Sequence, residues 1–174
     1  MSSDAAPAPE PGPVPSHEPS PEHAETRWLN DVEMQTWLNL AAVMMWLPAA
    51  LDAQLRREAG LSHFEYQVLA MLSQSAQRSA RMSDIAARAN GTPSRLSHVV
   101  ARLEERGWIT RTPGEGRAVL ASLTDAGWDK LVATAPGHVR TVRSYVFDQL
   151  SDKQVRELGI ATKHISKALN LPEN

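Results

Sequence analysis

The 174-residue chain contains no cysteine. Disulfides, thiolate metal sites, a cysteine nucleophile and thiol-based redox sensing are therefore excluded. No apolar run reaches the roughly 18 residues of a membrane span; the richest stretch, Leu38 to Leu51, is shorter and ends at Asp52. The N-terminus shows neither a basic leader nor an apolar signal core, so no secretory signal is expected. No glycine loop of the phosphate-cradling kind occurs. The six histidines are scattered, two of them in the first 25 residues, and form neither a metal set nor a nucleophile–base pattern. These absences argue against an enzyme, a cofactor-bound protein or a membrane protein. A soluble cytoplasmic binding protein is the expectation.

Proline is scarce except at one end. Seven of the twelve prolines lie between Pro7 and Pro21, interspersed with Ala, Glu, Gly and Ser and without apolar periodicity. Such a segment buries too little surface to offset its ordering entropy, so residues 1 to about 26 read as a disordered tail. About 148 residues remain, a normal single-domain length.

Charge is also unevenly placed. The total of 18 basic and 20 acidic side chains looks uninformative. The tail, however, carries Asp4, Glu10, Glu18, Glu22 and Glu25 against only Arg27. Residues 78–117 hold arginines at 78, 81, 88, 95, 102, 106, 111 and 117 against Asp84, Glu104, Glu105 and Glu115. A near-neutral total thus conceals a local arginine cluster, as a nucleic-acid surface requires.

The pattern along the chain is mostly helical. Asn30 and Glu33 form a capping pair ahead of Trp37, Leu40, Met44, Leu47, Leu51 and Leu55, spaced as on one helix face. Gly60 stops this helix, and Pro48 is expected to kink it. Ser62 and Glu65 form a capping box for a helix to about Ser75. Ser83 is expected to cap a short helix, Asp84 to Ala89. Thr92, with Pro93 at the first helical position, caps a third that runs to Gly107 and buries Leu96, Val100 and Leu103. Two β-prone runs, Trp108–Arg111 and Val119–Leu123, flank the turn Pro113-Gly114-Glu115-Gly116 and predict a hairpin. Thr124 opens a helical stretch to about Leu150, weakened or kinked at Pro136-Gly137. Ser151 and Gln154 cap a last amphipathic helix carrying Val155, Leu158, Ile160, Ile165 and Leu169.

Helix, short helix, capped helix and hairpin in that order predict a winged helix-turn-helix. The fold class is mostly α with a small β-hairpin wing. In this motif the second helix enters the major groove with its N-terminal half against base edges. Once Leu96, Val100 and Leu103 turn inward, the outer face shows Ser94, Arg95, Ser97, His98 and Arg102. Arg95 suits a bidentate contact to guanine, the serines suit bases or phosphates, and Arg102, farther along, suits phosphate. A winged-helix module that binds protein instead would predict an apolar or acidic outer face.

Several runs carry a family likeness. Leu61-Ser62 with Val68-Leu69, Met82-Ser83-Asp84-Ile85-Ala86, Arg95-Leu96-Ser97, Arg102-Leu103-Glu104-Glu105-Arg106-Gly107-Trp108-Ile109 and Leu123-Thr124-Asp125-Ala126-Gly127 together resemble the MarR family of bacterial transcriptional regulators, in order and spacing over about residues 33 to 170. The resemblance implies a homodimer that reads a pseudo-palindromic DNA operator, most often as a repressor. It implies a winged helix-turn-helix over about 61–124, with dimerisation helices over about 30–58 and 125–170. In the wing, the family commonly has Asp-x-Arg after a longer loop. Here Glu115-Gly116-Arg117 takes that place in a shorter tip, and Arg117 is the minor-groove candidate. Many members release DNA on binding a phenolic or other amphipathic molecule; Met45, Trp46, His63 and Tyr66 lie on segments able to line such a pocket.

Overall fold

The structure of the chain, a computed structural model, describes residues 26–89 and 91–171. The proline-rich tail up to residue 25 lies outside the described residues. The chain divides into two units, Met1–Leu38 and Asn39–Asn174, with the border inside the first helix. Its elements are α1 (Asp31–Ala59), α2 (His63–Gln74), β1 (Ser79–Arg81), α3 (Met82–Arg88), α4 (Pro93–Glu105), β2 (Ile109–Pro113), β3 (Val119–Leu123), α5 (Asp125–Tyr145) and α6 (Asp152–Ala168). Mostly helical with a small antiparallel sheet, this is the expected winged-helix architecture.

Local capping chemistry places most helix starts where the residues predict them. Asn30 Oδ1 accepts from the Glu33 amide, and Glu33 returns a carboxylate oxygen to the Asn30 amide, both at 2.9 Å. Reciprocal boxes are also present at Ser62/Glu65 and Ser151/Gln154. Thr92 and Thr124 accept from the amides of Arg95 and Gly127. Gly60 and Gly107 adopt φ of 64° and 73°, the left-handed conformation that closes a helix and favours glycine.

Two expectations need correction. Ser83 does not cap α3. The helix starts two residues earlier, with Arg81 at the cap position and no side-chain cap, while Ser83 Oγ meets Asp84 Oδ1 at 3.0 Å. The physical reason is β1, which runs straight into α3 and fills the cap position with its own last residue. The sheet accordingly has three strands rather than a bare hairpin, in the order β1-β3-β2. β1 pairs antiparallel with β3 (Ser79 opposite Ser122, Ala80 opposite Ala121), and the two serine hydroxyls bond at 2.9 Å. Pro48 and Pro136 lie inside their helices, as expected, and α1 and α5 continue through them.

The core sits between α2, α3, α4 and the sheet. Leu61, Val68, Leu69, Leu72, Ile85, Leu96, Val100, Leu103 and Ile109 are essentially inaccessible. Each contributes about 1.5–3 kcal/mol relative to exposure. This packing fixes which side of α4 faces out. Gly127, at the start of α5, lies where a Cβ would fall 2.1 Å from the Trp108 carbonyl oxygen, so glycine lets α5 close directly on the backbone after α4. By contrast α6 has no buried residue, and of the α1 stripe only Leu51 and Leu55 are buried, while Trp37 and Met44 are exposed.

Candidate nucleic-acid interface

The α3–α4 pair forms the helix-turn-helix. The Gly91 amide donates to the Ala86 carbonyl at 3.1 Å and closes the turn. Thr92 then caps α4 and Pro93 fills its first position, where the missing donor has no helical partner to lose. Leu96, Val99, Val100 and Leu103 turn inward, leaving Ser94, Arg95, Ser97, His98 and Arg102 exposed. The five expected contact residues therefore share the outer surface of one helix.

That surface has two sides. Ser94, Arg95, His98 and Arg102 border an open crevice of about 1020 Å³ shared with the second half of α1 and the start of α2, where Asp52, His63 and Phe64 also line it. Ser97 instead borders a hollow of about 700 Å³ against α3, beside Ser83 and Ala86.

The arginines of residues 78–117 separate into two groups. Arg78 pairs with Asp125 at 3.3 Å and lies over the Trp128 ring. Arg106 donates to the Gly60 carbonyl at 3.1 Å, and Arg111 grips Glu104 through both side chain and backbone. Arg102 reaches α2: its Nε and Nη2 both lie 3.2 Å from Oε1 of Glu65. The other oxygen of Glu65 accepts from the Ser62 amide and hydroxyl at 2.7 and 2.9 Å. Burial alone raises the pKa of this carboxyl, but the Ser62 donors and the charges of Arg102 and Arg106 outweigh it and hold it below the usual range. Arg81, Arg88, Arg95 and Arg117 have no hydrogen-bond or ion-pair partner for their side chains among the described residues. Arg95 is seated differently, its guanidinium carbon 4.3 Å from the centre of the Phe64 ring.

In the wing, β2 and β3 pair out to Pro113 opposite Val119, leaving Gly114 to Ala118 as the tip. The Gly114 amide donates to the Ala118 carbonyl and the Ala118 amide to the Glu115 carbonyl. Gly116 takes φ of 65°. Arg117 is exposed at this tight tip.

Of the expected effector residues, His63 and Tyr66 come together and Met45 and Trp46 do not join them. Tyr66 packs against His138 of α5 with ring centres 4.4 Å apart and planes tilted by 50°, and the His138 ring is also 6.0 Å from His63. Sequence reasoning missed His138, because only the docking of α5 brings it to α2. Its Nδ1 is buried without a partner among the described residues. Burial lowers the pKa of both histidines; proximity to His63 adds to this at His138, while Asp52 opposes it at His63. Met45 and Trp46 are 69% and 72% exposed on α1.

Comparison with known proteins agrees with this geometry. Residues 61–116 match the model of the MarR family. Comparison with curated proteins gives no significant match. Among solved structures, Sco3205, a MarR family transcriptional regulator from Streptomyces coelicolor in complex with DNA, is 42% identical with a TM-score of 0.76, over 82% of this chain and 94% of that one. AbsC, a MarR family transcriptional regulator from the same organism, is 35% identical with a TM-score of 0.76, over 83% and 99%. CouR from Rhodococcus jostii RHA1, bound to p-coumaroyl-CoA, shares the fold at 24% identity and a TM-score of 0.66, over 75% and 91%.

Proposed function

The chain belongs to the MarR family of transcriptional regulators, and from that membership we propose that it is a homodimeric repressor that reads a pseudo-palindromic operator through α4. The observation that carries this reading is the outer face of α4, where Ser94, Arg95, Ser97, His98 and Arg102 stand exposed on a helix whose opposite stripe is locked into the core. The similarity to Sco3205, solved with DNA, supports it. Arg95 reads a guanine edge, and Ser94, Ser97 and His98 supplement it. Arg102 touches phosphate with Nη1, the guanidinium nitrogen that Glu65 leaves free. Arg117 reaches the minor groove from the wing. Two half-sites about 34 Å apart follow from successive major grooves on one DNA face.

The second copy covers apolar surface that a single chain leaves in water. Val43, Met44, Met45 and Trp46 on α1 are all at least 52% exposed, as are Ile160 on α6 and Leu169 just after it. By length and apolar content α1 would also span a bilayer, but Leu51 and Leu55 root its second half in the globular unit. α6 buries none of its residues in a single chain, so its apolar side chains call for a partner. A monomer in light scattering at micromolar concentration would sink this assignment.

The crevice between α1, α2 and α4 is where an amphipathic or phenolic effector fits; His63 lines it, whereas Tyr66 packs against His138 instead. Met45 and Trp46 belong with the apolar surface that the second copy covers. The test of DNA reading is a mobility shift on duplexes selected from a random pool by the wild-type chain. Arg95→Ala removes the preference for the selected duplex over a scrambled one while folding is retained. Unchanged preference would refute the assignment of α4.

A further inference from the structure

Arg95 and Arg102 lie seven residues apart on α4, so they occupy nearly the same side of the helix two turns apart. Both turn toward the first turn of α2, yet they are held there by different chemistry. Arg102 directs two N–H donors at the Glu65 carboxylate. Arg95 directs none; it lays its guanidinium over the ring of Phe64. The difference matters because a guanidinium carries its five donors in its plane, around the edge, while a ring contact occupies only a face. A stacked arginine is thus fixed in direction with its hydrogen-bonding edge intact.

The ring is itself well anchored. Phe64 is 8% exposed and belongs to the buried core. On another side it meets the helix-turn-helix turn: a Cβ at Gly91 would stand 2.9 Å from the tip of the ring, so the missing side chain lets the turn close onto it. Core, turn and arginine therefore bound one aromatic ring.

We infer that Phe64 is a positioning residue for base reading, a platform that pre-sets the Arg95 guanidinium before DNA arrives. The inference rests on the reading above that Arg95 contacts a base. Long arginine side chains lose substantial rotamer freedom when they bind. Stacking on Phe64 removes part of that freedom in the free protein, leaving less to lose on the operator. The ring contacts no DNA itself, so its whole effect passes through Arg95.

A double-mutant cycle tests this with the full-length dimer. The wild type, Phe64→Leu, Arg95→Ala and the double variant are titrated with the selected duplex and its scrambled counterpart, with thermal unfolding as the control for folding. Phe64→Leu is expected to lower the preference for the selected duplex by roughly five-fold, the scale of an exposed cation–π contact, and to add nothing in the Arg95→Ala background. Phe64→Met fills similar space with a flexible side chain and no ring; it should reproduce the loss, and it serves if Leu reduces the folded fraction. An equal effect of Phe64→Leu with and without Arg95 would make the ring merely structural and overturn the inference. So would no effect, or a gain in preference, which would mean that the ring withdraws Arg95 from DNA. If Arg95→Ala itself leaves the preference intact, the base-reading assignment fails first and the platform with it.

Discussion

Replacing Arg102 with alanine perturbs two things at once, and their sizes can be separated. In the folded chain the side chain of Glu65 is 5% exposed, and its Oε1 receives both Arg102 donors at 3.2 Å. Oε2 is already occupied by the Ser62 amide and hydroxyl. Removing Arg102 therefore strands half of a buried carboxylate rather than all of it. Leaving a buried charged acceptor without its partner costs about 1–3 kcal/mol or more, whereas an exposed pair is worth about 0–1 kcal/mol. Arg102 is 54% exposed, so water enters when it leaves, and the loss should be about 1–2 kcal/mol, between those limits. For a chain of this size that lowers Tm by roughly 3–6 °C. The assay is urea unfolding at one fixed protein concentration, because dimer stability depends on it. Glu65→Gln and the double variant complete a cycle, since glutamine can still accept from Ser62 but carries no charge. A coupling of about 1 kcal/mol is expected. Arg102→Ala should also weaken DNA binding by a similar factor on selected and scrambled duplexes and reduce the salt slope by about one per contact. If Arg102→Ala leaves unfolding unchanged and additive with Glu65→Gln, the bridge carries no stability and the argument from its buried partner is wrong.

Three further outcomes follow from the same geometry. Gly127→Ala should destabilise by about 3 kcal/mol, because the new Cβ would overlap the Trp108 carbonyl and force α5 off the backbone; retained wild-type unfolding would refute this close approach. His63 and His138 resist protonation when folded, chiefly through burial, whereas unfolded they titrate near 6.5. The unfolded chain then binds more protons, so stability is full above about pH 6.5 and falls as pH drops below it; Tm at about pH 7.5 and 5.5 should differ less in the His63→Gln/His138→Gln variant, and an equal fall would clear the pair of any part. Arg117→Ala should weaken operator binding and lower the salt slope by about one per wing, and no change in filter-binding titrations would remove the wing from the interface.

What was legible in the sequence was what is encoded over three or four residues. The capping pairs at Asn30, Ser62, Thr92, Thr124 and Ser151 each join a side chain to an amide three positions on, so spacing alone finds them. The α4 stripe at Leu96, Val100 and Leu103 was legible for the same reason, and with it the candidate DNA face. β1 was not, because three residues of Ser-Ala-Arg have no alternation; the strand exists only by pairing with β3, some forty residues away. Its presence also displaced the expected cap at Ser83. The partners of the arginines were equally hidden: Glu65 precedes Arg102 by 37 positions, and Asp125 follows Arg78 by 47. Pro48 costs α1 one helical hydrogen bond, and the helix runs on through it to buried Leu51 and Leu55.

These hidden partners change what the arginine cluster means. Counting charges over residues 78–117 treats eight arginines as equivalent, yet Arg78, Arg102, Arg106 and Arg111 are tied to Asp125, Glu65, the Gly60 carbonyl and Glu104. Each tie joins elements that must keep their register for α4 to be presented: α5 to the turn before β1, α2 to α4, the α1–α2 corner to the end of α4, and α4 to β2. Half of the positive charge thus helps to hold the reading helix in place. Arg81, Arg88, Arg95 and Arg117 keep their donors free for an outside partner. Among them only Arg95 is both on α4 and fixed in direction, by a ring contact that uses none of its donors. Specific recognition needs a group that is oriented and still unsatisfied, and an ion pair supplies the first condition by removing the second. An aromatic face supplies the first while preserving the second, which is why the proposed base reading is assigned to Arg95 rather than to the charge of the segment as a whole.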